Sequence, residues 1–180
     1  MSSANWVSVD VQLSPTNVPG PLQRCIEFEF FADCASEPEI FRTEIDFGLP
    51  FDLPGNAKNV FFKIPANKYL CVTARDPLHT LRAVADLEIV GDHWHARFQG
   101  DPLLGGNWLI GGNVNMDRVI DLLDLATVRA HLGESLTPST NCARSDVHAD
   151  INGDGWLNMD DIYGPVVNAS PRSKRRDTGR

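Results

Sequence analysis

WVSVDVQLS, residues 6 to 14, alternates apolar and polar side chains at almost every step. In an extended strand this spacing puts Val7, Val9 and Val11 on one face, because successive side chains point to opposite sides. CIEFEFF, residues 25 to 31, repeats the pattern with Phe28 and Phe30. Similar short runs continue to about residue 99, separated by Pro, Gly, Asn and Asp. The sequence therefore predicts about seven strands arranged as an antiparallel β-sandwich over residues 1–108.

The stretch FFKIPANKYLCVTARD, residues 61 to 76, refines this prediction. A strand that stops at Pro-Ala-Asn-Lys and restarts at an aromatic residue predicts a tight turn between neighbouring strands. This turn resembles that of transthyretin-like and CnaB-like sandwich domains, with Asn67 where those families usually have glycine. The predicted fold class is thus mostly β, an immunoglobulin-like or transthyretin-like sandwich followed by a small α module.

Composition limits the partners. The chain of 180 residues has a formal net charge of −8, which argues against nucleic acid, since phosphate binding needs a basic face. No apolar run approaches the roughly 20 residues that a membrane span needs. MSSANWVSVD lacks the basic start and apolar centre of a signal peptide, so either the protein stays inside the cell or an upstream export segment is missing from this chain. We favour the second alternative and expect an extracellular or cell-surface protein.

The four cysteines fit that location. Cys25, Cys34, Cys71 and Cys142 allow two disulfides in three connectivities, while four buried thiols in a cytosolic protein are the alternative. We expect a Cys71–Cys142 bond that attaches the C-terminal third to the sandwich.

The composition changes after residue 100. DRVIDLLDLATVRAHLGE, residues 117 to 134, spaces Leu125, Val128 and Leu132 as on a helix and places Gly133 where a helix would end. We assign residues 109–168 to a second domain. Residues 169–180 form a basic polar tail that cannot bury a core and is predicted to be disordered.

HADINGDGWLNMDD, residues 148 to 161, contains a candidate ion-binding loop. Calcium takes six to eight oxygen ligands, and a twelve-residue loop supplies them from its first, third, fifth, seventh, ninth and twelfth positions. Gly155 stands at the sixth position, where the chain turns sharply, and Leu157 is an apolar eighth residue. A solvated acidic loop is the alternative, but it does not explain this spacing. The predicted ligands are Asp150, Asn152, Asp154, the carbonyl of Trp156, Asn158 and Asp161.

A second copy occupies NVNMDRVIDLLD, residues 113 to 124. Its leading residue is Asn rather than Asp, and Arg118 at the glycine position would have to adopt an unfavourable backbone conformation. We expect a weaker calcium site here, and a degenerate copy kept for packing is the alternative. The predicted ligands are Asn113, Asn115, Asp117, the carbonyl of Val119, Asp121 and Asp124.

Two calcium loops that end in Asp and open helices resemble the duplicated segment of dockerin type I modules. The joined arrangement is similar to dockerin-type extracellular proteins predicted from planctomycetes and similar bacteria. The resemblance implies calcium-dependent folding and docking to a cohesin-like partner, in some relatives linking polysaccharide-degrading components. The partner-binding positions it implies are Leu122–Leu123 and Met159–Asp160, which replace the Ser-Thr pairs of cellulosomal dockerins, and Arg129, which matches one of their basic residues.

Two further patterns contain candidate site residues. His93 and His95 share a strand face and with His79 would make a transition-metal site, although solvated imidazoles are commoner. In TARDPLHTLR we expect Asp76 to organise a turn, and Arg75 and Arg82 to pair with carboxylates of neighbouring strands.

Catalysis and sugar binding are the rival functions. Glu27 and Glu29 share one face, but the short strands leave little chain to build a pocket around them. A carbohydrate-binding sandwich, or an accessory domain of a glycoside hydrolase, would present aromatic rings, for which Trp6, Trp94 and Trp108 are candidates. The sequence favours a non-catalytic extracellular calcium-binding module, with two Ca²⁺ sites, that mediates or stabilises protein assembly.

Overall fold

The computed structural model describes residues 4–14, 21–33, 36–49, 52–135, 142 and 149–162. Cys34 and the predicted tail, residues 169–180, lie outside these ranges. Within them the chain is mostly β, with a short 3-10 helix at Pro102–Leu104, an α-helix, α1, at Leu122–Ala130 and a helical turn at residues 159 to 162. The strands are β1 (Ala4–Ser14), β2 (Leu22–Phe31), β3 (Glu39–Phe47), β4 (Asn56–Pro65), β5 (Cys71–Arg75), β6 (Ala83–Asp86), β7 (Glu88–Val90), β8 (His93–Phe98) and β9 (Leu109–Ile110). No helix in the described part of the chain is long and apolar enough to cross a membrane.

The strands form two sheets. The first has the order β4-β1-β8-β7, with β9 also pairing with β1, and the second has the order β3-β2-β5-β6. All pairs of the second sheet are antiparallel, as predicted. In the first sheet β1 runs parallel to β8 and to β9, so the prediction of a wholly antiparallel sandwich is wrong there. Alternation along a strand records which side chains are buried and not the direction of the neighbouring strand.

The two sheets share one apolar core. Val7, Val9 and Val11 are fully buried, as the alternation predicts. The ring of Phe28 on β2 lies 5.2 Å from that of Phe62 on β4, between the centroids, so aromatic contacts join the layers. β9 begins just after residue 108, and its two residues extend the first sheet beyond the predicted domain boundary.

The segment between β4 and β5 differs from its prediction. β4 belongs to the first sheet and β5 to the second, so the chain crosses between layers here instead of turning between neighbouring strands. Tyr69 explains the crossing, because its ring is buried in the core and its hydroxyl donates to the carbonyl oxygen of Pro65 at 3.1 Å. The aromatic residue that suggested a turn is therefore a core anchor.

A disulfide attaches the C-terminal third to the second sheet. Cys142 is bonded to Cys25 on β2, across a sequence separation of 117 residues. The expected Cys71–Cys142 bond is therefore wrong. The sequence could not have selected the observed pair, because cysteine spacing alone leaves every connectivity open.

The predicted helix is confirmed, with a shorter span. α1 starts with a capping box. The side chain of Asp121 accepts a hydrogen bond from the main-chain N–H of Asp124, and the side chain of Asp124 accepts one from the main-chain N–H of Asp121. Val128 is buried, whereas Leu132 lies beyond the end of α1 and is exposed. Gly133 adopts φ +86°, but it is not the predicted C-terminal cap, because α1 ends at Ala130 and His131 caps it. The buried face of α1 packs into a small second core that also contains Val114, Ala149 and Leu157.

Candidate metal centre

Asp161 closes the second loop on itself. Its Oδ1 accepts hydrogen bonds from the main-chain N–H groups of Ile151, at 2.8 Å, and Asn152, at 3.3 Å. Its Oδ2 accepts from the N–H of Asn158 at 3.0 Å. The side chain is fully buried, so one carboxylate ties the start of the loop to its end.

Asp150 organises the interior of the same loop. Its two carboxylate oxygens accept from the N–H groups of Gly153, at 2.7 Å, and Gly155, at 3.0 Å. Both glycines have positive φ, +76° and +84°, a conformation that glycine adopts without the steric cost that other residues bear. The buried carboxylate and the two turns therefore depend on each other.

The outer side of this loop is built from short polar side chains. Asp154 Oδ1 accepts from the N–H of Trp156 at 2.8 Å. Asp154 Oδ2 accepts from the side-chain amides of Asn152 and Asn158, at 3.1 and 3.2 Å. All six predicted ligand residues thus belong to one hydrogen-bonded loop, with Asp154 and Trp156 exposed to solvent.

The first loop repeats this arrangement around Asp124. Asp124 Oδ1 accepts from the N–H groups of Val114, at 2.9 Å, and Asn115, at 3.3 Å. Its Oδ2 accepts from the N–H of Asp121 at 2.9 Å. Each of these hydrogen bonds has a counterpart at the same position around Asp161. The internal repeat is therefore present in the structure as well as in the sequence.

The outer side of the first loop is repeated too. Asn115 Oδ1 accepts from the N–H of Asp117 at 3.0 Å, and Asp117 Oδ1 accepts from that of Val119 at 2.9 Å. The amide of Asn115 donates to Asp117 Oδ2 at 2.9 Å. Five of the six predicted ligand residues of this loop are therefore joined by hydrogen bonds.

Asn113, the sixth, is where the two loops differ. Its Oδ1 atom is buried and has no hydrogen-bond partner among the described residues. Its counterpart Asp150 accepts two main-chain bonds. A buried oxygen without a donor costs free energy, which a bound cation would recover.

The backbone of the first loop is strained where the second has glycine. Arg118 adopts φ +72°, as predicted, and Met116 adopts φ +59°. Left-handed backbone costs a residue with a side chain roughly 1–2 kcal/mol. The hydrogen bonds from the N–H of Asp117 to Asn115 Oδ1 and from the N–H of Val119 to Asp117 Oδ1 flank these two residues.

Burial raises the pKa of the last aspartate of each loop. For Asp124 and Asp161, loss of hydration outweighs the main-chain N–H groups that favour the charged form, and the charges of Asp117 and Asp150 respectively raise the pKa further. A nearby cation would reverse this balance, because it stabilises the ionised carboxylate.

The donor set fits a hard cation. Carboxylates, side-chain amide oxygens and main-chain carbonyls are the ligands of calcium, whereas transition metals prefer nitrogen or sulfur. Within the described ranges no three Asp, Glu, His or Cys side chains are grouped as a metal site. The loop carboxylates accept hydrogen bonds from main-chain N–H groups. The buried oxygen of Asn113 and the two buried carboxylates of raised pKa are the features that fit calcium.

The residues assigned to partner binding are all exposed. Leu122 and Leu123 begin α1 with 75% and 62% of their surfaces exposed, and Met159 begins the last helical turn with 69%. Arg129 and Asp160 are exposed as well. Three large apolar side chains at the ends of the two loops thus lie on the surface.

The three candidate histidines have separate roles. His95 is buried and lies 2.7 Å from Ser8 Oγ through its Nδ1 atom, and Arg97 Nε donates to its Nε2 atom at 3.2 Å. His93 packs edge-on against Phe61, with ring centroids 5.1 Å apart. His79 is hydrogen-bonded to Asp76. These contacts match structural imidazoles.

Glu27 and Glu29 form ion pairs with arginines. Arg75 and Arg82 were predicted to pair with carboxylates of neighbouring strands, and they do so here. Glu27 accepts from Arg42, and from Arg75 Nε at 2.7 Å. Glu29 accepts from Arg82 at 2.7 Å. Burial would raise the pKa of Glu27, but the hydrogen bonds and charges of the two arginines hold it below its usual value. Asp76 organises its turn through Leu78, as expected.

The tryptophans divide between surface and interior. Trp6 is about half exposed, at 47%, and Lys63 Nζ lies over its ring at 4.6 Å from the centroid. Trp94 packs against the main core, and the Nε1 atom of Trp108 is buried. Of the three, only Trp6 presents much of its ring to solvent.

Sequence reasoning missed Arg24. It is almost completely buried and donates to the main-chain carbonyls of Asp150 and Ile151 in the second loop. One signal was present: Leu22, Ile26 and Phe28 alternate inward along β2, and position 24 falls on the same face. A charged residue on a buried face requires a polar partner.

Sequence comparison adds no relative to this description. No protein-family model matches the chain, and no curated protein matches its sequence. The class of protein is therefore defined by its own features, a mostly β chain with a duplicated Asp- and Asn-rich loop.

Proposed function

We propose that the protein is a non-catalytic, extracellular calcium-binding module of dockerin-like type, which mediates or stabilises protein assembly. The observation that carries the proposal is the bond-for-bond repetition of the two loops around Asp124 and Asp161. The unpartnered oxygen of Asn113 supports occupation of the first loop by a cation. We expect two Ca²⁺ ions, with the second loop binding more tightly.

Calcium acts through linkage in this proposal. An ion that binds only the folded loops adds RT ln(1 + [Ca]/Kd) to the free energy of unfolding. The loops share the small second core, because Val114 follows the first ligand residue of one loop and Leu157 is the eighth residue of the other. Calcium binding therefore stabilises α1 and the packing between the loops.

Isothermal titration of the purified, calcium-free chain tests the proposal. We expect about two calcium ions per protein, binding in two steps of different affinity. Magnesium at the same concentrations should give little heat, because this smaller ion requires shorter ligand distances and near-ideal octahedral coordination. Asp150→Ala should remove the tighter step. Fewer than one bound calcium per protein would refute the calcium part of the proposal.

The assembly role rests on the exposed apolar residues at the loop ends. Leu122 and Leu123 are adjacent exposed apolar residues at the start of α1, and contiguous exposed apolar residues contribute to protein interfaces. The expected partner is a cohesin-like domain, bound only in calcium. The double variant Leu122→Asp with Leu123→Asp should lose this binding and keep calcium binding. Equal binding with and without a chelator would argue against the role.

Two observations support a non-catalytic, extracellular protein. Glu27 is ionised and held by two arginines, so it is unsuited to donate a proton as a general acid. The Cys25–Cys142 disulfide is a type of bond that persists in oxidising surroundings. An assay on polysaccharide substrates that detected hydrolysis dependent on Glu27 would contradict the first point.

Carbohydrate binding is the second candidate function. It is favoured by Trp6 and Phe61, two half-exposed aromatic rings on adjacent strands of the first sheet. Aromatic rings on a sheet face can stack on sugar rings. Retardation of the protein in polysaccharide-containing gels, abolished by Trp6→Ala, would support this candidate, and unchanged mobility on all polysaccharides tested would remove it.

A further inference from the structure

Arg24 lies behind the second loop, on the inward face of β2. Only 1% of its surface is exposed. Its Nη2 atom donates to the main-chain carbonyl oxygens of Asp150, at 3.1 Å, and Ile151, at 2.9 Å. Asp150 is the first ligand residue of the proposed calcium loop. A guanidinium of the sandwich therefore holds the main chain where that loop begins.

The rest of the guanidinium faces Asp76 and His79. Arg24 Nε lies 3.8 Å from Asp76 Oδ2, and His79 Nδ1 lies 3.0 Å from the same oxygen. Arg24 Nη1 is close to both ring nitrogens of His79, at 2.9 and 3.3 Å. Arginine can only donate, so the His79 nitrogen that accepts from Arg24 is one without a proton, and a protonated ring nitrogen can donate to Asp76. We call Arg24, Asp76 and His79 the buried cluster.

The buried cluster also reaches the first loop. The main-chain carbonyl of His79 accepts from the N–H groups of Gly112, at 2.7 Å, and Asn113, at 3.1 Å. Asn113 is the first ligand residue of that loop. The same three buried residues thus fix the starting points of both loops, one through Arg24 and one through His79.

The second loop is packed closely against β2. A Cβ atom added at Gly153 would lie 2.3 Å from Leu22 Cδ1 and 3.3 Å from Arg24 Nη2. At the equivalent position of the first loop Met116 has a similar positive φ, +59° against +76°, so the backbone conformation alone does not require glycine here. The close approach to β2 does.

We propose that Arg24 is a positioning residue for the second calcium loop, whose guanidinium holds the carbonyls of Asp150 and Ile151 in the geometry that binds the ion. The inference rests on the proposed calcium function and deepens it. Arg24 does not itself touch the ion, because a cation repels a cation. Its effect passes through the main chain of Asp150.

The position of Arg24 and its charge predict opposite effects on the calcium affinity of the second loop. As a positive charge close to the loop, Arg24 should weaken calcium binding, and removing the charge should strengthen it. As a fork that fixes two successive carbonyls, it should strengthen binding, and partners that orient metal ligands typically change affinity about 10–100-fold when they are replaced. Arg24→Lys keeps the charge and loses the fork. It therefore separates the two effects.

Terbium luminescence sensitised by Trp156 measures ion binding at the second loop. Terbium substitutes for calcium, and Trp156, the seventh residue of the loop, is placed to sensitise it, whereas the first loop has Val119 at that position. Trp156→Phe identifies the part of the signal that belongs to this loop. Displacement of terbium by calcium then gives the calcium affinity of the second loop in each variant.

The expected result is that Arg24→Lys weakens calcium binding at the second loop about tenfold, and that Arg24→Met weakens it as well. Ile26→Val is the matched control, because it trims a core residue of the same strand and should leave the affinity unchanged. Gly153→Ala is the second variant, since it pushes the loop away from Leu22 and Arg24 without replacing any residue of the buried cluster. It should also weaken binding, and it decides the matter if neither Arg24 variant folds.

Wild-type affinity in folded Arg24→Lys, or tighter binding in Arg24→Met, would overturn the inference and leave the calcium function intact. Absence of any Trp156-dependent terbium signal and of calcium binding in the wild-type chain would instead overturn the proposed function, and the inference with it.

Discussion

Replacing Asp161 by Asn separates the structural role of this residue from its role as a proposed ligand. Asn has nearly the same shape, and its single oxygen can still accept from the N–H groups of Ile151 and Asn152. The new amide faces the N–H of Asn158, which loses its acceptor. A buried donor without a partner costs about 1–3 kcal/mol. Removal of a buried carboxylate whose pKa is raised by burial offsets part of that cost.

The expected signature is a stability difference that depends on calcium. In a chelator, Asp161→Asn should unfold within about 1–2 kcal/mol of the wild type. At a calcium concentration 100 times the Kd of the second loop, the wild type gains about 2.7 kcal/mol and the variant gains nothing at that site. Urea unfolding monitored with and without calcium measures the difference. Asp124→Asn is the matched variant, and it should remove only the weaker step of a calorimetric titration. A calcium-dependent stabilisation of Asp161→Asn equal to that of the wild type would refute the reasoning.

Three further outcomes are expected. Arg118→Gly should stabilise the protein by about 1 kcal/mol and raise the calcium affinity of the first loop, because it removes a side chain from a residue with φ +72°. Urea unfolding and calcium titration check this, and no gain in either would mean that the conformation costs little. Cys25→Ser with Cys142→Ser should lower the free energy of unfolding by about 2–5 kcal/mol, as should reduction of the wild type; unchanged stability would show that the bond constrains nothing. Glu27→Gln should lose a pH-dependent contribution to stability. The folded pKa of Glu27 is lowered, so its contribution is complete above the unfolded value of about 4.3 and is lost as the pH falls through the folded value. A difference between variant and wild type that stays constant from neutral pH to pH 2 would contradict this.

The β architecture could be predicted because it depends on local alternation. Every inward residue of WVSVDVQLS is buried, and the inward phenylalanines of β2 are too. Strand partners could not be predicted, because parallel and antiparallel neighbours bury the same side chains. For this reason the pairing of β1 with β8 and the crossing at Tyr69 both differ from the expectation.

The repeated hydrogen-bonded geometry of the two loops agrees with the sequence spacing, because each position in a twelve-residue ion loop has its own steric or ligand requirement. Calcium binding at these residues stays a prediction. The positive φ of Arg118 follows from placing it at the glycine position. The pairing of Cys142 with Cys25 and the contact of Arg24 with the second loop depend on how the C-terminal third sits on β2. Such long-range placement leaves no periodic mark in the sequence. Only the charge at an inward position of β2 indicated that something polar would cover it.

The attachment to β2 has a consequence for how the calcium loops work. Leu22, Arg24 and Cys25, close together on one strand, contact or bond the C-terminal third at Gly153, at Asp150 and at Cys142. If the second loop lost its structure without calcium, Arg24 would keep its buried charge and lose two carbonyl acceptors, which destabilises the sandwich around it. Calcium should therefore raise the unfolding temperature of the whole described fold in a single transition. Two separate transitions, of which only the smaller responded to calcium, would show that the sandwich and the loops fold independently.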